Sequence, residues 1–209
     1  MPKTILIPCL AALIAAIMIA VPSPAAADMP DTLEAGDYAL VLNGTGERVQ
    51  MGQKIYSAGL YLPESKSDPE TIMSVDEPMT MRLEIMTNTR RVMFLNAFRN
   101  GMRSAAGSIG ADWSDLEDRY EIFTGFIEGD LERGSVIVFE YLPEQGLSVL
   151  MDGEHQGTIE GMDFKTAFFG IWLNGFRPAD ASLKKALLGQ SPDEGESGRG
   201  GGSGNPYNF

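Results

Sequence analysis

Arg48 closes the stretch Leu42-Asn-Gly-Thr-Gly-Glu-Arg48 and is followed by the alternating apolar run Lys54-Ile-Tyr-Ser-Ala-Gly-Leu-Tyr-Leu-Pro63. A guanidinium stays protonated and can hold a carboxylate or an oxyanion through two parallel bonds, so an Arg at the mouth of an apolar strand is a candidate anion anchor. The bland alternative is an ion pair with Glu47 or another of the chain's acids. Tyr56, on the same run, can donate a phenolic hydrogen bond to an anion or serve as core. Gly44 and Gly46 do not make a nucleotide site: the Lys-Ser/Thr of a phosphate loop, a third glycine and a following helix are all missing. Their spacing predicts a tight turn with positive φ. His155 is the only imidazole and falls just past Asp152-Gly153-Glu154, an exposed hairpin position with no ligand spacing around it. A Ser-His-Asp triad has no nucleophile elbow to build on. No metal site and no cofactor are expected.

The elements that must position Arg48 and Tyr56 follow from periodicity. Asp28 to Gly36 reads as a polar arm. Tyr38–Asn43, Arg48–Met51 and Ile55–Leu62 have strand character, with the turn at Gly44 and Gly46 between the first two. A loop, 63–69, leads to a short helix over 70–75 with Asp68 as N-cap and Pro69 at its first position. Met79–Met86 alternates apolar and polar residues, the pattern of a half-buried strand. Val92, Leu95, Phe98, Met102 and Ala105 then recur at helical spacing and predict a helix over 89–106, ended by Gly107 and Gly110. A second helix, 113–123, carries Asp112 as N-cap and acids in its first turn. Strands are expected over 135–142, 147–151 and 154–159, the last two joined by Asp152-Gly153. Helices over 164–173 and 181–188 complete the domain. Helices cluster between the β segments without alternating with them, which argues for α+β and a mostly antiparallel sheet. Phe94, Phe98, Phe164, Phe168, Phe169 and Trp172 are core or pocket wall, as are Met79, Met81, Met86, Met93 and Met102, whose thioethers adapt to varied apolar surroundings.

Composition narrows the function classes. Residues 1–27 begin with Lys3, run apolar from Ile5 to Val21 and end at Pro24-Ala25-Ala26-Ala27, the small-residue pattern of a secretory leader. Cleavage before Asp28 is the expectation; a retained membrane anchor is the rival, opposed by Pro8, Pro22 and the terminal A-x-A. Cys9 sits too close to the N-terminus to be a lipidation site, and its removal leaves an exported domain without disulfides. The expected organisation is therefore 1–27 leader, 28–189 domain and 190–209 a Gly/Ser-rich tail, with a periplasmic location and no anchor after cleavage. A core of about 160 residues suffices for stability, since such a domain buries about two thirds of its unfolded surface. The chain's formal charge of −13 argues against nucleic-acid binding.

The two segments around Arg48, together with Gly157-Thr-Ile-Glu-Gly-Met-Asp-Phe-Lys-Thr-Ala-Phe-Phe-Gly-Ile-Trp-Leu173 and Pro178-Ala-Asp-Ala-Ser-Leu-Lys-Lys-Ala-Leu-Leu-Gly189, resemble the opening and close of the chalcone isomerase fold. The likeness runs from Tyr38 to Gly189 and points to the secreted bacterial chalcone isomerase-like proteins. It implies an α+β, open-faced β-sandwich with a layer of helices on one face. It also implies that Arg48 enters a cleft between sheet and helices, as the equivalent Arg does in chalcone isomerases and the related plant fatty-acid-binding proteins. The isomerases' catalytic Thr falls at Tyr56; their Tyr and Lys fall within 90–94, where neither type occurs; their Thr-Met pair falls at Ile171 and Trp172. Ring closure depends on polar groups that orient a phenolate and a ketone, whereas an anchored apolar anion needs fewer. The reading is a non-catalytic periplasmic protein binding a fatty acid or similar apolar anion through Arg48 and Tyr56. Its rivals are an isomerase acting on a chalcone-like unsaturated ketone, and an accessory protein of the envelope whose protein partner the sequence does not name.

Overall fold

The computed structural model describes residues 29–174 and 180–190. The expected leader, its cleavage before Asp28 and the tail after Gln190 lie outside the described residues. Seven strands form one antiparallel sheet in sequence order: β1 (Thr32–Ala35), β2 (Tyr38–Gln50), β3 (Gln53–Leu62), β4 (Met79–Ile85), β5 (Val136–Leu142), β6 (Gly146–Met151) and β7 (Glu154–Ile159). Each strand pairs with its sequence neighbour, which short hairpins permit and parallel pairing would forbid. Helices α1 (Pro69–Ser74), α2 (Arg91–Ser108), α3 (Trp113–Thr124), α4 (Met162–Leu173) and α5 (Ala181–Leu187) fill the connections. The fold is α+β, as the order of helices and strands led one to expect.

One face of the sheet carries the main core. Tyr56, Ala58, Leu60 and Leu62 of β3, Met81 and Leu83 of β4 and Phe139 of β5 are buried against Phe98, Phe168 and Trp172 of the helices. Period-two alternation puts these strand positions on one side, and α4, apolar nearly all round, is buried nearly all round. Phe98 lies at the centre of the aromatic packing, with Phe168 at 5.8 Å and Trp172 edge-on at 5.5 Å. The opposite face has a small core of its own, Ala35, Leu40, Tyr61 and Leu142. Coverage on both faces explains why β3 is buried from Tyr56 through Leu62.

Three expectations need correction. The polar arm contains strand β1, an edge strand of only four residues hairpinned to β2 through Gly36 at φ 54. Gly44 and Gly46 do not turn the chain: β2 continues through both, with a bulge between Leu42 and Gly44, and neither glycine has positive φ. Their reason is closeness. A Cβ on Gly44 would stand 2.1 Å from the Ala186 carbonyl oxygen, and one on Gly46 would stand 2.8 Å from the Ala186 Cβ. Helix α5 therefore lies directly across β2, and the reversal occurs later, at Met51 (φ 52) and Gly52 (φ 77). Finally, α2 begins at Arg91 because Thr89 is drawn into a bridge with Leu131, and it runs through Gly107 before Gly110 at φ 73 ends it. The caps of α1 and α3 form as expected, Asp68 accepting from the Thr71 N–H and Asp112 from the Ser114 N–H. Asp152 and Gly153, at φ 50 and 87, make the β6–β7 hairpin.

Candidate functional site

Arg48 on β2 and Tyr56 on β3 are directly opposed Cα partners, so both side chains rise from the same, helix-covered face of the sheet. They sit where β2 and β3 approach their hairpin, beyond the end of α5. A cavity of about 850 Å³ opens there between the hairpin and α2, within the size range of small-molecule sites. Arg48, Ile55 and Tyr56 form one wall, and Met93, Phe94, Ala97 and Phe98 of α2 form the other. Ile171 of α4 reaches into it past Gly101, where an added Cβ would meet Ile171 at 3.1 Å. Polar groups, among them Gln50, Gln53, Asn88, Arg90 and Asn100, also line it.

Tyr56 is 7% exposed, and its phenol oxygen accepts a hydrogen bond from the Trp172 indole at 3.0 Å. Burial pushes its pKa up to about 12, against the opposing pull of the Trp172 N–H and the Arg48 charge. The hydroxyl therefore stays protonated at neutral pH. Because the indole N–H is spent on its oxygen, the phenol proton remains available to an acceptor in the cavity. Trp172, which cannot supply the hydroxyl that the resemblance looks for at its position, instead fixes the one on Tyr56.

Arg48 is an ion-pair partner and a cavity-lining residue at once. Its Nη1 donates to Asp180 Oδ2 at 3.1 Å, with side-chain exposures of 25% for Arg48 and 16% for Asp180. Glu47, the neighbour expected to compete for it, pairs with Lys54 at 2.7 Å. Asp180 is the N-cap of α5: its Oδ1 accepts from Ser182 N at 3.0 Å, Leu183 N at 3.2 Å and Ser182 Oγ at 2.6 Å. Burial opposes ionisation of Asp180, but the Ser182 hydroxyl, the backbone N–H groups and Arg48 together hold its carboxyl below the usual range. The arrangement offers a phenol and a guanidinium side by side at one end of a space with both apolar and polar lining, chemistry suited to holding an anion with a hydrocarbon body.

The other residues weighed from sequence fall elsewhere or divide. Phe94 and Phe98 line the cavity, whereas Phe164, Phe168, Phe169 and Trp172 belong to the core. His155 lies exposed on β7 with Nε2 3.0 Å from Thr158 Oγ1, away from the cavity. Two contributors went unrecognised. Asp180 is legible as a helix cap, but nothing in the sequence announces a partner 132 residues away. Trp172 reads as core and is core; its N–H bond to Tyr56 depends on how α4 meets β3.

The sequence profile of the chalcone isomerase-like family matches residues 23–189. No curated protein sequence matches the chain. Among solved structures, the chain is similar to the crystal structure of an Arabidopsis thaliana fatty-acid binding protein, with a TM-score of 0.57 at 21% identity over 77% of this chain and 90% of that one. At that identity the likeness carries the fold alone, while the profile covers most of the chain. A helix-covered antiparallel sheet with a cleft at the β2–β3 hairpin and a match across residues 23–189 together place the chain in the chalcone isomerase-like family.

Proposed function

We propose that this protein is a non-catalytic, periplasmic binder of a small apolar anion such as a fatty acid, held in the cavity between the β2–β3 hairpin and α2. The observation that carries the reading is the opposed pair Arg48 and Tyr56 at the wall of that cavity. The headgroup meets the guanidinium and the phenol proton, and the hydrocarbon body lies along Ile55, Met93, Phe94 and Ile171. The protein of similar fold is described as a fatty-acid binding protein, which agrees with this use of the cleft. Periplasmic location rests on the leader-like residues 1–27.

A ring-closing activity is disfavoured by the same side chains. Orienting two oxygens of an unsaturated ketone takes hydroxyl and amine donors at set positions, and Tyr56, Ile171 and Trp172 stand where the resembled isomerases place theirs, although Asn96, Asn100 and Ser104 of α2 also line the cavity. The purified protein is expected to leave the cyclisation of a chalcone at the buffer rate, followed by the loss of ketone absorbance. Saturable turnover abolished by Arg48→Ala would put the isomerase reading first. For binding, native mass spectrometry of the protein purified from its periplasm should show a bound fatty acid that dissociates under activation. A protein that is ligand-free, and that takes up no fatty acid at micromolar concentration, would contradict the carrier reading and favour an envelope accessory role.

A further inference from the structure

Asp180 divides its two oxygens between two tasks. Oδ1 caps α5 through Ser182 and Leu183, and Oδ2 takes Nη1 of Arg48 at 3.1 Å. The carboxylate cannot swing aside without giving up the cap, and the helix cannot readily move. The Asn43 side-chain amide donates to the Leu187 carbonyl at 2.8 Å, Leu183 and Leu187 are buried, and Gly44 lets the Ala186 carbonyl rest against β2. A fixed negative charge thus stands beside the cation proposed to anchor the ligand. Resting on that proposed role of Arg48, we propose that Asp180 determines headgroup specificity: it admits a singly charged head, which shares the guanidinium, and rejects a doubly charged head such as a phosphate monoester.

The physical basis is that repulsion grows with the charge of the incoming head, while the hydrocarbon body contributes equally whatever the head. Arg48 and Asp180 sum to zero charge. The pair therefore gives the second charge of a dianion no net attraction, while taking that second charge out of water costs more than taking out the first. Since both side chains are partly exposed, screening limits the effect to about one order of magnitude in affinity per unit of ligand charge.

The test compares three heads across wild type and two variants. Dodecyl sulfate, dodecyl phosphate at pH 8.5 and dodecanol, all below their micellar concentrations, are titrated into wild type and Asp180→Asn, which keeps the cap through its one amide oxygen, turns an NH2 group rather than an acceptor toward Arg48, and removes the charge. Affinity is expected to rise about tenfold for the sulfate and about a hundredfold for the phosphate, with dodecanol unchanged. Asp180→Ser, a cap without the reach to Arg48, should show the same ordering, and its far-ultraviolet dichroism and thermal midpoint report whether α5 stays in place. Equal binding of sulfate and phosphate by wild type, or an equal rise for all three probes in both variants, would overturn the proposal while leaving the cavity a binding site. If neither wild type nor variant takes up any probe, the binding function itself fails and the specificity with it.

Discussion

Substituting Gly44 by Ala separates two explanations for the glycines of β2. If Gly44 served backbone conformation, alanine would cost little, because its φ is not positive. The structure says instead that the new Cβ would lie 2.1 Å from the Ala186 oxygen, 2.7 Å from the Leu187 oxygen and 2.8 Å from the Leu187 carbonyl carbon. All three are backbone atoms, so no rotamer change relieves the clash. Restoring an ordinary contact of 3.4 Å from 2.1 Å moves the C-terminal turn of α5 by about 1.3 Å. That shift breaks the Asn43–Leu187 bond of 2.8 Å, at about 1 kcal/mol. It also loosens Leu183, Leu187 and Leu188, each of which gains about 1.5–3 kcal/mol from full burial. Losing roughly a third of that burial brings the total to about 2.5–4 kcal/mol, a large share of the stability of about 5–15 kcal/mol typical of a domain. Urea unfolding of Gly44→Ala beside Gly52→Ala is the assay. Gly52 has positive φ and open space around it, so its alanine should cost only about 1–2 kcal/mol. If Gly44→Ala proves as stable as wild type, or less harmful than Gly52→Ala, the account of α5 lying across β2 is wrong.

Lys165 is fully buried, and its Nζ donates to the carbonyls of Ile72, Met73 and Val75 at 3.2, 3.1 and 2.9 Å, closing the end of α1; Lys165→Met should cost about 3 kcal/mol in unfolding experiments by removing that shared donor, with Met73 alone keeping a bond from the Thr166 hydroxyl. Burial lowers the Lys165 pKa from 10.5 to about 8, so between those values the unfolded chain binds more protons and stability should rise with pH; that rise should be missing from Lys165→Met. Tyr56 runs the other way: with its pKa raised from 10.0 to about 12, its stabilisation is complete below pH 10 and lost between pH 10 and 12, and Tyr56→Phe should flatten the decline in alkaline unfolding. Intact-mass measurement of the exported protein should give a chain beginning at Asp28, and a mass retaining residues 1–27 would refute the leader reading.

What could be read in the sequence was whatever depends on near neighbours. Asp68 and Asp112 announced their helices, Asp152-Gly153 its hairpin, and the period of Leu95, Phe98, Met102 and Ala105 the buried face of α2, although Val92, expected on that face, is exposed in the first turn. The family likeness brought Arg48 and Tyr56 forward, and the sheet register sets them opposite one another. Features that depend on distant packing stayed hidden. Gly44 and Gly46 look the same in a turn as beneath a helix that arrives from residues 181–187, and only the approach of α5 distinguishes the cases. β1 escaped notice because four residues with one large apolar side chain carry too little pattern. Asp180 could be recognised by its cap, and its bond to Arg48 could not, since that contact exists only once α5 has docked on β2.

The central claim is that Arg48 anchors the charged end of an apolar ligand. Calorimetric titration of dodecanoate and dodecanol into wild type and Arg48→Ala tests it most directly. A charge-assisted bond contributes about 1.5–3 kcal/mol, so the variant should bind dodecanoate about ten- to a hundredfold more weakly while dodecanol binding is unaltered. Arg48→Lys should recover only part of the loss, because a point charge lacks the two-pronged geometry. Dodecanoate binding by Arg48→Ala as tight as by wild type, with the fold intact, would contradict the account.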